Sequence, residues 1–161
     1  MTTNITLFAQ IVKKLERNIF SRLVKEKQTD KYQKGFNSWT HLISMVFCQL
    51  ANTQSVRDIN NGLKSATGNL NHLGVQSAPS KSSINYQNAR RNHHLFRDYY
   101  FELLNHLGQQ AQFKRVKFRI KSKILLLDST VITICLSLFD WAKYKTEKGA
   151  IKIHTLLDLA T

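Results

Sequence analysis

The sequence predicts an α+β protein: a helical bundle over residues 1–112, helix-turn-helix-like in part, followed by a small antiparallel sheet over residues 113–161. Three observations predict it. Apolar residues recur at helical spacing as far as Leu107. The texture then changes after Gln112 to β-rich runs and clean alternation. Finally, the whole excess of positive charge lies ahead of Ile124.

From the N-terminus, Phe8, Ile11, Val12, Leu15, Ile19 and Leu23 share one face of a helix, with lysines and arginines opposite. Residues 25–37 are polar and read as a connection. Ser38 stands where an N-cap belongs, ahead of Trp39, Leu42, Ile43, Val46, Phe47 and Leu50. Ser55 followed by Asp58 marks a third helix start, with Val56, Ile59 and Leu63 inward. Residues 67–79 hold Gly68, Gly74 and several Asn and form a loop. Pro79-Ser80 opens a short polar helix that runs to Arg91. A longer helix then carries Leu95, Phe96, Tyr99, Tyr100, Leu103, Leu104 and Leu107, with Gly108 as its stop. The bundle thus has about five helices.

Residues 113–123 alternate basic and apolar side chains. Ile124-Leu125-Leu126-Leu127 has the composition of a buried strand, ended by Asp128-Ser129-Thr130, and residues 131–138 form a second β-rich run. A third strand alternates through Ile151, Ile153, Thr155, Leu157 and Leu159. Three strands with no covering helix are not a complete α/β layer, so the sequence reads as truncated. Its sheet is expected to expose an apolar face and to drive dimerisation or aggregation.

Twenty-four Lys and Arg against ten Asp and Glu give a formal charge of +14. A folded chain this basic meets a polyanion, a trait shared by RNA-binding and ribosome-associated proteins. Residues 1–37 hold eight basic and three acidic side chains (+5), residues 38–78 two and one (+1), residues 79–123 ten and two (+8), and residues 124–161 four and four (zero). Polyanion binding and the work of the C-terminal segment are therefore separate tasks. Cys48 and Cys135 each sit in an apolar run, which suits a reducing cytoplasm and not a disulfide framework. The sequence shows no signal peptide or membrane span, since Lys13 and Lys14 interrupt the first apolar segment. It also lacks Cys/His zinc spacing, a Gly-rich phosphate loop and a nucleophile elbow. The expected location is the cytoplasm, at the nucleoid.

Three constellations carry chemistry. Residues 55–91 can form a helix-turn-helix-like unit whose last helix offers Lys81, Ser82, Asn85, Gln87, Asn88, Arg90 and Arg91 to base edges or phosphates, anchored by Ile84, Tyr86 and Ala89; the plain alternative is a solvated surface helix. Next, Lys114, Arg115, Lys117, Arg119, Lys121 and Lys123 can track a phosphate backbone, or line a solvated amphipathic strand. Last, Asp128 follows four aliphatics at the mouth of a β-layer. It either begins a turn onto Thr130 or supplies half of a magnesium-dependent phosphoryl-transfer site; Asp158 comes within its reach if the strands pair, though a salt bridge with a lysine suits Asp158 better.

The run Ile124-Leu125-Leu126-Leu127-Asp128-Ser129-Thr130 resembles the first strand and first catalytic Asp of bacterial DDE transposases of the insertion sequence four family. Val131-Ile132 and on to Leu138, Trp141-Ala142-Lys143, and Lys148-Gly149-Ala150-Ile151-Lys152-Ile153-His154-Thr155-Leu156-Leu157-Asp158 extend the resemblance. Pro79-Ser80-Lys81-Ser82-Ser83 and Tyr99-Tyr100 are similar to the helical domain often fused ahead of these enzymes. The resemblance implies a ribonuclease H-like core in which carboxylates, Asp128 among them, hold two Mg2+ or Mn2+ ions for in-line attack on a phosphodiester. It also implies double-stranded DNA at the element's terminal repeats as partner, and transposition as function. The family's second Asp and its Tyr, Arg, Glu and Lys signature would lie beyond Thr161. The chain alone is therefore expected to hold metal weakly and to be inactive as a nuclease. The rival reading is a free-standing DNA-binding regulator with a small β tail for dimerisation.

Overall fold

The structure, a computed structural model, describes residues 5–53, 55–65, 70–109, 125–134 and 149–158. These form two compact units, Met1–Leu103 and Leu104–Thr161. Among the described residues there are six α-helices, one 3-10 turn and a two-stranded antiparallel sheet, an α+β composition. None of the helices is long and apolar enough to cross a membrane.

The predicted first helix is two: α1 spans Ile5–Lys14 and α2 spans Arg17–Lys27. The break resets the helical phase. Phe8 and Val12 of α1 are buried as expected, but in α2 the buried pair is Phe20 and Leu23, so Phe20 replaces Ile19 at the centre of the core. Around Phe20 pack Trp39 at 5.5 Å, Tyr99 at 4.9 Å and Phe96 at 6.3 Å between ring centroids, the first two edge to face. Gln28 ends α2 in the left-handed region, φ 51°.

Helix α3 spans Ser38–Leu50 and is capped by Asn37, whose side chain accepts from Thr40 N–H. Ser38 is thus the first helical residue and not the cap. Its N–H and its hydroxyl both donate to Asp30 Oδ1, at 2.7 Å each. Trp39, Ile43 and Phe47 form the apolar face. Trp39 Nε1 donates to Leu73 O at 2.8 Å, fastening the 3-10 turn Asn71–Leu73 onto α3.

Helix α4, Val56–Ser65, begins at Ser55, whose hydroxyl accepts from Asp58 N–H, and buries Val56, Ile59 and Leu63 as predicted. It packs on α3 so closely that a Cβ on Gly62 would lie 2.6 Å from the Phe47 ring. Helix α5, Lys81–Arg90, is capped by Ser80, and Asn60 Nδ2 donates to Pro79 O at 2.5 Å to join α4 to its start. Helix α6, His94–Gln109, buries Leu95 and Tyr99 and runs through Gly108 instead of stopping there. Lys27–Asp98 at 2.5 Å and Arg22–Glu102 tie α2 to α6.

In the second unit β1, Leu125–Ile134, pairs antiparallel with β2, Gly149–Asp158. The two short strands predicted on either side of Asp128-Ser129-Thr130 are one continuous strand within the described residues, and the sheet there has two strands where three were expected. The polar triplet does not end the strand because both its neighbours carry β-favouring side chains and every residue of it has a partner on β2. All the described side chains of residues 125–131 and 151–156 are exposed, apolar ones included.

Candidate nucleic-acid interface

Helix α5 is held by little apolar surface. Ile84 is its one buried residue, fully enclosed. Tyr86 and Ala89, expected as further anchors, are exposed, Tyr86 at 54%. Polar contacts supply the rest of the hold. Asn88 Oδ1 lies 2.6 Å from His41 Nε2, so the neutral imidazole donates from Nε2. His41 is buried between the rings of Phe36 and Phe96. Burial holds its pKa down at about 4, with Arg91 adding and the Asn88 hydrogen bond opposing.

Arg91, just past the end of α5, turns inward. Its side chain is 1% exposed, its Nη2 donates to Phe36 O at 3.0 Å and lies 3.6 Å from Asp30 Oδ1. Burial lowers its pKa and Asp30 opposes that shift. Phe36 and Asp30 belong to the 28–37 connection between α2 and α3, so Arg91 pins that segment against α5. A second tie comes from Gln87 Nε2, which donates to Gln33 Oε1 at 3.1 Å.

Between the pinned connection and α5 runs an open groove of about 650 Å³, bordered by Lys31, Tyr32, Lys34, Ser82, Tyr86 and Gln87. A smaller hollow of about 290 Å³ shares Gln33, Tyr86 and Gln87 and extends toward Arg90. Among the described residues no acidic side chain lines either one. Tyr32 has φ 63°, in the left-handed region that costs a non-glycine residue roughly 1 kcal/mol or more, and its side chain is 90% exposed. Lys31 Nζ sits 5.5 Å from the Tyr32 ring, and the Arg90 guanidinium 4.6 Å from the Tyr86 ring.

The predicted residues therefore divide. Lys81, Ser82 and Arg90 are exposed on α5. Asn85 is partly buried, with Oδ1 enclosed and without a hydrogen-bond partner, and Asn88 and Arg91 are spent on internal contacts. Lys114, Arg115, Lys117, Arg119 and Lys121 lie outside the described residues. Sequence reasoning passed over Lys31, Tyr32 and Lys34, because 25–37 carries no periodicity and nothing in Lys-Tyr-Gln announces a left-handed tyrosine.

Asp128 sits in the middle of β1, opposite Thr155, and not at a strand end. Its Oδ2 accepts from Thr130 Oγ1 at 2.7 Å, the contact that the turn reading anticipated, here made along a strand. Asp158 pairs with Leu125, an odd number of residues away, so the two carboxylates project from opposite faces of the hairpin. Among the described residues no three His, Cys, Asp or Glu side chains gather where they could hold a metal ion. Asp128 and Thr130 bring one carboxylate and one hydroxyl, so among the described residues a divalent cation would still need its other oxygen ligands from elsewhere.

Residues 3–76 match a family model described as a domain of unknown function (DUF4372). The match takes in α1 to α4, the 3-10 turn and the connection bearing Tyr32, and ends ahead of α5. No curated protein and no solved structure matches the chain.

Proposed function

We propose that the chain binds duplex DNA through α5, as the DNA-binding part of a DDE-type transposase whose ligand is the element's terminal DNA. One observation carries the reading. Helix α5 buries a single apolar residue and turns Lys81, Ser82 and Arg90 outward, within a segment whose balance is +8. A helix so sparsely packed and so polar is suited to entering a major groove while its neighbours hold phosphates. On this reading Asp128 is one member of a larger carboxylate set, and the described residues alone do not cut DNA.

A second reading has an observation of its own. Leu127, directly opposite Leu156, and Val131 share one face of the hairpin and are 72%, 62% and 60% exposed. That face favours a DNA-binding regulator that pairs with a second copy through its β tail.

The test is a salt titration of binding to terminal-repeat duplex and to a scrambled duplex, read by fluorescence anisotropy. A preference for the terminal sequence that survives rising salt supports specific recognition. Equal affinities that collapse together with salt leave only a basic surface.

A further inference from the structure

We infer that the groove between the 28–37 connection and α5 takes unpaired nucleotides of a nucleic-acid strand, with bases stacking on Tyr32 and Tyr86 and phosphates meeting Lys31, Lys34 and Arg90. The inference rests on the DNA-binding reading for the class of polymer. It departs from that reading in giving the groove a single strand where α5 takes a duplex.

Of the cations bordering the two hollows, Lys27 is paired with Asp98 and Arg91 with Asp30. Lys31, Lys34 and Arg90 make no ion pair among the described residues, so a ligand that neutralises them must bring its own negative charge. A row of cations alone would suit any polyanion. The two tyrosines narrow the choice. Exposed rings flanked by cations are the arrangement that binds single strands, since every base has a π-face and each stacked base contributes about 1–3 kcal/mol. A duplex keeps its bases stacked on each other and offers no face to either ring. Tyr32 is the more telling of the two: it is almost wholly exposed, in a backbone conformation that has to be maintained by the hydrogen bonds around it. Lys31 already covers one ring approach, so a base arriving on Tyr32 would meet both an aromatic face and a cation for its phosphate. An acidic peptide would satisfy the lysines equally well but gain nothing from the rings.

The experiment compares a blunt duplex, the same duplex with a short single-stranded tail carrying 2-aminopurine, and free oligothymidylate, against the full chain and its Tyr32→Ala and Tyr32→Phe variants. The tail is expected to tighten binding about tenfold and to quench the 2-aminopurine emission as it stacks. Tyr32→Ala should abolish both effects, Tyr32→Phe should keep them, and neither should change affinity for the blunt duplex. Because Tyr32 is on the surface, circular dichroism of the variants should be that of the parent. A tail that adds no affinity, an advantage that survives Tyr32→Ala, or displacement of oligothymidylate by polyglutamate at equal charge would overturn the inference. Failure to bind blunt duplex with Tyr32-dependent binding of oligothymidylate intact would sink the duplex reading and leave the groove assignment standing.

Discussion

Nε2 of His41 and Oδ1 of Asn88 lie 2.6 Å apart, so a single short hydrogen bond joins the enclosed face of α3 to the helix that borders the groove. Either protonation state of His41 can donate from Nε2, but burial keeps the ring neutral by lowering its pKa to about 4, against the opposing pull of the Asn88 hydrogen bond. In the unfolded chain the same ring takes its proton near 6.5. Between those values the unfolded chain binds a proton that the folded chain refuses. The stabilisation is therefore complete above about pH 6.5 and is lost as pH falls toward 4. By pH 5 the loss should be about 2 kcal/mol. Urea midpoints recorded from neutral pH downward should fall in the parent and fall less in His41→Gln, which keeps a donor for Asn88 without a titrating ring.

Arg91→Ala removes a guanidinium that is 1% exposed and holds the Phe36 carbonyl. Breaking a buried pair costs about 3–5 kcal/mol when the partner is left uncompensated. Here Asp30 keeps two hydrogen bonds from Ser38, so the expected loss is smaller, about 2 kcal/mol. Equilibrium unfolding in urea gives the magnitude, and faster amide exchange at residues 33–36 would show that the connection has come loose.

Gly62→Ala sets two effects against each other. Alanine favours a helix over glycine by about 1 kcal/mol. The added methyl would lie 2.6 Å from two Phe47 ring carbons, and overpacking of that kind costs about 1–3 kcal/mol. The ring is buried and in edge contact with Phe8 at 5.5 Å, so it has little room to retreat, and net destabilisation is expected. In a Phe47→Leu background the sign should reverse, which a double-mutant cycle of thermal midpoints reads directly.

If α5 meets phosphates, neutralising Lys81 or Arg90 should weaken binding without altering sequence preference. Lys81→Gln and Arg90→Gln should each flatten the plot of log affinity against log salt by about 1. A slope unchanged in both variants would remove α5 from the interface.

How far the sequence foretold this molecule depends on which forces act locally. The caps at Ser55 and Ser80 and the inward set of α4 follow from a few neighbouring residues, and they are where the pattern puts them. Phe20 was out of reach, because the break at Leu15-Glu16 restarts the helix and puts Phe20 inward where the unbroken pattern put Ile19, although Leu23 stays inward in both. Asn37 and Ser38 are both good caps, and only the distant Asp30 decides between them. Arg91 reads as a surface cation until a carbonyl and a carboxylate, 55 and 61 residues earlier in the chain, are folded against it. In the hairpin, Asp128-Ser129-Thr130 has the composition of a turn, and strand pairing overrides it.

The groove has one wall from the 28–37 connection and one from α5, with Gln33 and Gln87, 54 residues apart, meeting across it. During synthesis the first wall leaves the ribosome well before the second. A nascent chain that has completed α1 to α3 has the tyrosine and lysines of one side but nothing for them to face. On the reading that this groove takes nucleic acid, the site is complete only once α5 and Arg91 have been made and folded against the connection.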